Sequence, residues 1–257
     1  MPDPDAIVHN RKPVKKTPKT AMILAAGFGK RMQHLTTDTP KPLIEVSGRS
    51  LIERVLDRLQ ENGIENVVIN THYLAEKIET RLRDRKTPAI AFSREKDILE
   101  TGGGIENALP KLGKKPFFVV NSDTLWLDSF FSGLERMAEI WDSNKMDALL
   151  LLHSTVDAYG YDGAGDFNCD PSGLLSRRPE CEVAPWLFTG IQILHPRLFK
   201  NAPGGAYSLN VLFDRALEKN RLYGVIHDGE WFHVGTPEGL NQAENYLQYR
   251  YGETKHR

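Results

Sequence analysis

The chain has 257 residues, 40% of them hydrophobic and 26% charged, enough to bury one sizeable core as one large domain or two small ones. Its 33 basic and 34 acidic residues give a formal charge of -1, so nothing in the overall field points to nucleic acid or an acidic membrane, and any anion site must be local. No apolar run reaches the roughly 18 residues of a spanning helix, no signal-peptide core is present, and Cys169 and Cys181 lack zinc or redox spacing, which together predict a cytoplasmic protein with two free thiols.

Residues 1–19 hold four prolines and a basic cluster of Arg11, Lys12, Lys15, Lys16 and Lys19, with almost nothing apolar. That composition predicts a flexible basic tail. From Thr20 onward, apolar runs alternate with amphipathic stretches. AMILAAG (21–27) reads as a buried strand. In 50–63, apolar residues at 51, 52, 55, 56 and 59 predict a helix, with Ser50 and Glu53 spaced as a capping box and Gly63 as the stop. The series continues with a strand at 66–70, a helix at about 74–85, and strands at 89–93 and 116–123. A helix at about 128–141 and a strand at 147–154 follow. Between 99 and 112, LETGGG reads as a loop and IENALPKL as a short helix. A Gly/Asp/Pro-rich stretch (157–185) precedes a strand at 186–196, a helix from Ser208 to about Asn220 and a strand at 222–228. The last helix begins where Thr236 caps and Pro237 takes the first position. The alternation predicts an α/β fold: a mostly parallel, Rossmann-like sheet with helices on both faces, in one domain after residue 20. Ligands in such sheets bind beyond the carboxyl ends of the strands, where strand order reverses.

The residues just after strands therefore carry the chemical interest. The first strand runs into Gly27-Phe28-Gly29-Lys30-Arg31-Met32 and then Thr39-Pro40-Lys41-Pro42-Leu43. Glycines after a buried strand let backbone N–H groups approach a phosphate, and Arg31 and Lys41 bring two positive charges to it. This is not the dinucleotide fingerprint, because Met32 replaces the third glycine and the next strand closes on Asn70 rather than an acid. Asn121-Ser122-Asp123 ends the strongest apolar strand, a suitable place for a carboxylate that holds a hard cation such as Mg²⁺.

The run LAAGFGKRM…TPKPL resembles the signature of the sugar-phosphate nucleotidyltransferase family, and the resemblance extends over about 20–250. It implies a nucleotidyltransferase catalytic domain over 20–257 and an EC 2.7.7-type reaction, in which an NTP and a sugar 1-phosphate give an NDP-sugar and pyrophosphate. Ala26, Gly27, Gly29, Lys30, Arg31 and Lys41 would hold the triphosphate, with Gly102 and Gly103 packed against the nucleoside. Arg31, Lys41 and Asp123 would be the catalytic set. Asn121, Asp166, Arg178, Thr189 and Gly190 would line the sugar side, with Arg178 in Arg177-Arg178-Pro179 standing as a phosphate cation where many relatives carry the lysine of Glu-Lys-Pro that grips the sugar phosphate. The metal, Mg²⁺ with Mn²⁺ as a possible substitute, would sit on Asp123. Its second ligand position, usually Asp, is here His233 within Trp231-Phe232-His233-Val234-Gly235-Thr236. Short length, Asn70-Thr71-His72-Tyr73, LETGGG, GDF and FTGIQILHP look closest to the N-acetylmuramate 1-phosphate uridylyltransferases of cell-wall recycling. Mannose 1-phosphate guanylyltransferases share several of these features, and His233 leaves open a catalytically weak sugar-nucleotide sensor.

Overall fold

A computed structural model describes residues 17–252. The expected tail lies outside them except for its last three residues. There Thr17 and Pro18 are buried and Lys19 pairs with Glu65 at 3.1 Å. In chain order the elements are β1 (Thr20–Leu24), β2 (Glu45–Val46), β3 (Arg49–Ser50), α1 (Leu51–Glu61), β4 (Asn66–Thr71), α2 (Ala75–Leu82) and β5 (Ala89–Arg94). Then come α3 (Glu100–Leu112), β6 (Phe117–Asn121), β7 (Thr124–Leu127), α4 (Gly133–Ile140), β8 (Ala148–Ser154), β9 (Phe167–Cys169) and β10 (Leu175–Arg177). The chain closes with β11 (Trp186–Leu194), α5 (Asn210–Glu218), β12 (Leu222–Ile226), β13 (Glu230–His233) and α6 (Pro237–Gly252).

The main sheet runs β10-β9-β11-β6-β1-β4-β5, with β8 joining β11 to β12. Its centre is parallel: β1 pairs with β4 on one side and with β6 on the other, and β4 pairs with β5. The chain thus builds outward from β1 in one direction, then returns to add β6 on the opposite side, which is the reversal of order that opens a crevice in such sheets. In register, Leu24 faces both Asn70 and Asn121. Three strand ends therefore finish level, and the chain beyond β1 and β6 spills over the same edge.

Alternating side chains on each strand supply both faces. Ala21, Ile23, Phe118 and Val120 enter one apolar cluster with α1, α2 and α4, while Met22, Phe117 and Val119 enter another with α3 and α5. A third cluster joins Met32, Leu125, Phe232 and Val234 to Ala243 and Leu247 of α6. It lies by the small antiparallel pair of β7 and β13, in which His233 faces Thr124.

Several boundaries differ from the sequence expectation. The 116–123 strand breaks after Asn121: the Ser122 N–H donates to Leu24 O at 3.1 Å, and the chain leaves the main sheet as β7. LETGGG is no loop, since α3 starts at Glu100 and includes all three glycines. Its first turn is capped by a distant carbonyl, because Gly102 N–H and Gly103 N–H both donate to Tyr207 O, at 2.9 and 3.2 Å. No local residue announces that partner. The capping box is also altered: Ser50 Oγ bonds Glu53 Oε2 at 2.5 Å and makes no backbone cap. Thr236 does cap, accepting from Gly239 N–H at 3.2 Å.

One polar junction ties β8 to the outer half. Asp147 Oδ1 accepts from Arg197 Nε at 2.5 Å and Arg221 Nε at 2.9 Å, with only 13% of its side chain exposed. Burial works to raise this carboxyl, but the two guanidiniums outweigh it and hold it below the ordinary value. Its stabilisation is therefore complete above the unfolded value, near ~3.9, and is lost as pH falls through the lower folded value. Asp147→Asn is expected to cost about 2 kcal/mol at neutral pH, with the gap to the natural protein closing below about pH 4. Urea melts at pH 7 and pH 3.5 check it, and an equal gap at both values would contradict the assignment.

Candidate active site

A cleft of about 540 Å³ opens where β1, β4 and β6 end, lined by Leu24, Asn70 and Asn121 and by the segments that follow β1 and β6. Its size suits a small-molecule ligand. Ala26, Gly27, Gly29, Lys30, Arg31, Lys41, Asn121 and Asp123 all line it. The first half of the expected site is thus brought together.

The loop after β1 has its own scaffold. Ala25 N–H donates to Asn70 Oδ1 at 2.8 Å, and Asn70 Nδ2 donates to Glu95 Oε1 at 2.7 Å, both bonds buried. Farther along, Phe28 rests edge-on to His72 at 5.7 Å and tilted against Tyr73 at 5.6 Å. The Tyr73 hydroxyl donates to Thr37 O at 2.9 Å. Asn70-Thr71-His72-Tyr73 therefore props the glycine loop from behind. Gly29 turns the chain in the left-handed region (φ 67°), and a β-carbon there would sit 2.9 Å from Lys41 Cβ. The glycine lets Lys41 come in beneath the loop.

Lys41 is 8% exposed. Its ammonium meets Asp123 Oδ2 at 2.5 Å, across 82 residues of sequence. The acid sits at the turn where the chain passes from β6 to β7, with 29% of its side chain exposed. Burial pushes the Asp123 carboxyl up, but Lys41, through charge and hydrogen bond, outweighs this and leaves it below the usual range. His233 stands beside it through the β7–β13 pairing. Burial pushes the imidazole's value down, as do Lys41 and Arg31, against the opposing pull of Asp123, so its neutral form is favoured.

Among the described residues no group of three or more His, Cys, Asp and Glu forms a complete metal cage. The Asp123 carboxylate suits a cation such as Mg²⁺, which takes one or two protein oxygens and completes its octahedron with phosphate and water, whereas the neutral imidazole alongside suits Mn²⁺ better than Mg²⁺. Asp123 and His233 would hold it.

The other expected residues lie elsewhere. Gly102 and Gly103 are inside α3 and do not line the cleft. β-Carbons on them would come within 2.3 Å of the Tyr207 ring and 2.0 Å of Gly205 O, so close packing of 205–207 requires their bare backbone. Glu100 and Thr101, immediately before them in the same first turn, face the cleft with Ile98 and Ser208. Thr189 is 1% exposed, its hydroxyl donating to Leu151 O and its carbonyl accepting from Thr124 Oγ1 and Trp231 Nε1. Gly190 (φ 84°) passes close to Asn121 and Thr124. Asp166 accepts from Phe188 N–H at 2.8 Å. Arg178 donates to Gly165 O and Glu182 O at 3.1 and 2.8 Å.

Sequence reasoning missed Glu95 and Ser208 as cleft residues. Glu95 is 6% exposed, accepts from Asn70 and from Leu99 N–H, and would sit 2.7 Å from a β-carbon on Gly104. Its position after β5 was the available signal, by the same rule that singled out Asp123.

Two glycines separate binding from folding. Nothing lies within 4 Å of a β-carbon on Gly27, while one on Gly102 collides with Tyr207. Gly27→Ala is expected to keep its Tm yet lose about tenfold in kcat/KM for the NTP, the methyl occupying space a phosphate needs. Gly102→Ala is expected to lose about 1–3 kcal/mol of stability by overpacking. Melting curves beside steady-state kinetics check both, and a Tm drop in Gly27→Ala would contradict the reading.

A family model described as "Nucleotidyl transferase" matches residues 20–249. The chain is 40% identical over 239 residues to the N-acetylmuramate alpha-1-phosphate uridylyltransferase of Caulobacter vibrioides, covering 91% of this chain and 99% of that one. It is 38% identical over 229 residues to the protein of the same name from Neisseria meningitidis, covering 87% and 96%. In fold it resembles HddC from Yersinia pseudotuberculosis complexed with GMP-PN, with a TM-score of 0.72 and 22% identity, covering 89% of this chain and 99% of that one.

Proposed function

This chain belongs to the nucleotidyl transferase family, and on that premise we propose that it joins UTP to N-acetylmuramate 1-phosphate, giving UDP-N-acetylmuramate and pyrophosphate. The observation that carries this reading is the meeting of the glycine loop, Arg31, Lys41 and Asp123 in one cleft, in a chain alike along nearly its whole length to two enzymes of that name. The activated sugar would return to cell-wall synthesis.

The chemistry needs no general base, because the sugar phosphate is already ionised at neutral pH. One of its oxygens attacks the α-phosphorus in line, forming a new P–O bond as the bond to the β-phosphate oxygen breaks. Arg31 and Lys41 balance the charge that gathers on the departing pyrophosphate, and the loop from Ala26 to Lys30 positions the triphosphate. Lys41 exchanges its Asp123 partner for phosphate as the nucleotide arrives. Asp123, freed of the ammonium, and His233 would hold the divalent cation, Mg²⁺ or Mn²⁺, which would supply positive charge against the phosphates.

A pyrophosphate-release matrix tests the reading. Four NTPs are set against the 1-phosphates of N-acetylmuramate, N-acetylglucosamine, glucose and mannose. UTP with N-acetylmuramate 1-phosphate is expected to give the highest kcat/KM. GTP with mannose 1-phosphate as the best pair would sink the proposal.

A further inference from the structure

The phosphate machinery does not explain how one sugar is chosen over another. N-acetylmuramate differs from N-acetylglucosamine by a lactyl ether ending in a carboxylate, set well away from the anomeric phosphate. We propose that Arg178 reads that carboxylate and so sets the choice of sugar. This inference rests on the proposed function.

Position is the first argument. The Tyr161 ring lies edge-on to His233, with centroids 6.4 Å apart. Its hydroxyl accepts from Gly165 N–H at 3.2 Å, and the carbonyl of Gly165 accepts from Arg178 Nε at 3.1 Å. A continuous path therefore leads outward from Asp123 through His233, Tyr161 and Gly165 to Arg178. Arg178 thus stands one ring beyond the phosphate centre, and it is not part of the cleft that holds Arg31 and Lys41. A cation so placed matches the far end of the sugar better than the reacting phosphate.

The guanidinium itself is the second argument. Backbone carbonyls of Gly165 and Glu182 fix it, with a longer contact at 3.4 Å to Pro179 O. Both N–H groups of Nη2 remain without a protein partner among the described residues. Residues 155–196 contain only two Lys or Arg residues, Arg177 and Arg178. Arg177 is committed to Asp214 at 2.8 Å and stacks over the Phe167 ring at 4.8 Å. The nearby Asp166 carboxylate is turned to Phe188 N–H. What remains is an immobilised planar cation with open donors and no paired carboxylate among the described residues, a geometry suited to a carboxylate ligand.

The test compares N-acetylmuramate 1-phosphate with its lactyl amide, which keeps the shape and removes the charge. At saturating UTP, the natural protein is expected to lose about 30-fold in kcat/KM from acid to amide. Arg178→Met should lose that same factor on the acid and treat acid and amide alike, with its Tm measured alongside. Equal losses on both substrates, or no loss on either, would overturn the proposal. Should Arg178→Met not fold, Arg178→Lys decides: it keeps charge without the fork, so its acid-to-amide ratio is expected to shrink several-fold, and an unchanged ratio would overturn the proposal. A natural protein that ignores N-acetylmuramate 1-phosphate but turns over another sugar removes the proposed function as well. A preference for N-acetylmuramate that survives both substitutions removes only the role of Arg178.

Discussion

Asp123→Asn is expected to lower kcat by about 10²-fold or more, the scale on which removal of one electrostatic stabiliser acts, while the protein stays folded. The asparagine amide has the same shape, and its oxygen can still accept from Lys41 Nζ, so the turn between β6 and β7 keeps its geometry. What disappears is the negative charge. Lys41, 8% exposed, would lose its counter-charge and face the cleft as an unopposed cation, so nucleotide binding without metal should not weaken. The metal requirement should rise instead, because the one carboxylate assigned to the cation is gone. Steady-state kinetics, a metal titration and a melting curve read these three effects separately. Natural turnover in Asp123→Asn would remove the residue from the mechanism.

Lys41→Met is the second large effect, with kcat/KM for the NTP expected to fall about 10²–10³-fold. Two losses combine in it. The departing pyrophosphate loses a buried cation, and Asp123 loses the partner that outweighs its burial. The sign then reverses: with the ammonium gone, burial dominates and the Asp123 carboxyl moves up, so residual activity should rise with pH over a range where the natural protein is flat. Arg31 is more exposed, so Arg31→Ala should be the milder variant, though kcat should fall along with nucleotide affinity. An effect of Lys41→Met confined to KM would mean that this charge helps ground state and transition state equally.

The contrast between Asp123 and Gly102 shows what could be read before the fold was known. Asp123 follows the most apolar strand, and a residue in that place must emerge at the carboxyl edge of a parallel sheet wherever the strand lies in it. The same logic located Gly27, Arg31 and Asn121, and the loop glycines bring Lys41 beneath them. Gly102 and Gly103 failed because their environment is made by Tyr207 and Gly205, about a hundred positions away. A carbonyl from that segment caps α3, which local propensity reads as a glycine loop. The division of 116–123 into β6 and β7 was hidden for a similar reason, since the partner that draws β7 away is β13. Thr189 was identified as a sugar-side residue by its motif, but its hydroxyl and carbonyl are both spent inside the fold on Leu151, Thr124 and Trp231. Glu95 stood just after a strand as Asp123 does, but no neighbouring motif drew attention to it, and its bonds to Asn70 and Leu99 appear only in the fold.

The most direct test of the account is the product balance of one reaction: UTP, N-acetylmuramate 1-phosphate and Mg²⁺ with the natural protein, with UDP-N-acetylmuramate and pyrophosphate measured together over time. The cleft described above predicts that the two products appear in equal amounts over many turnovers and that both vanish when the metal is chelated. Tight binding of a UDP-sugar with no release of pyrophosphate would contradict the account, because it would leave a sensor in place of a catalyst.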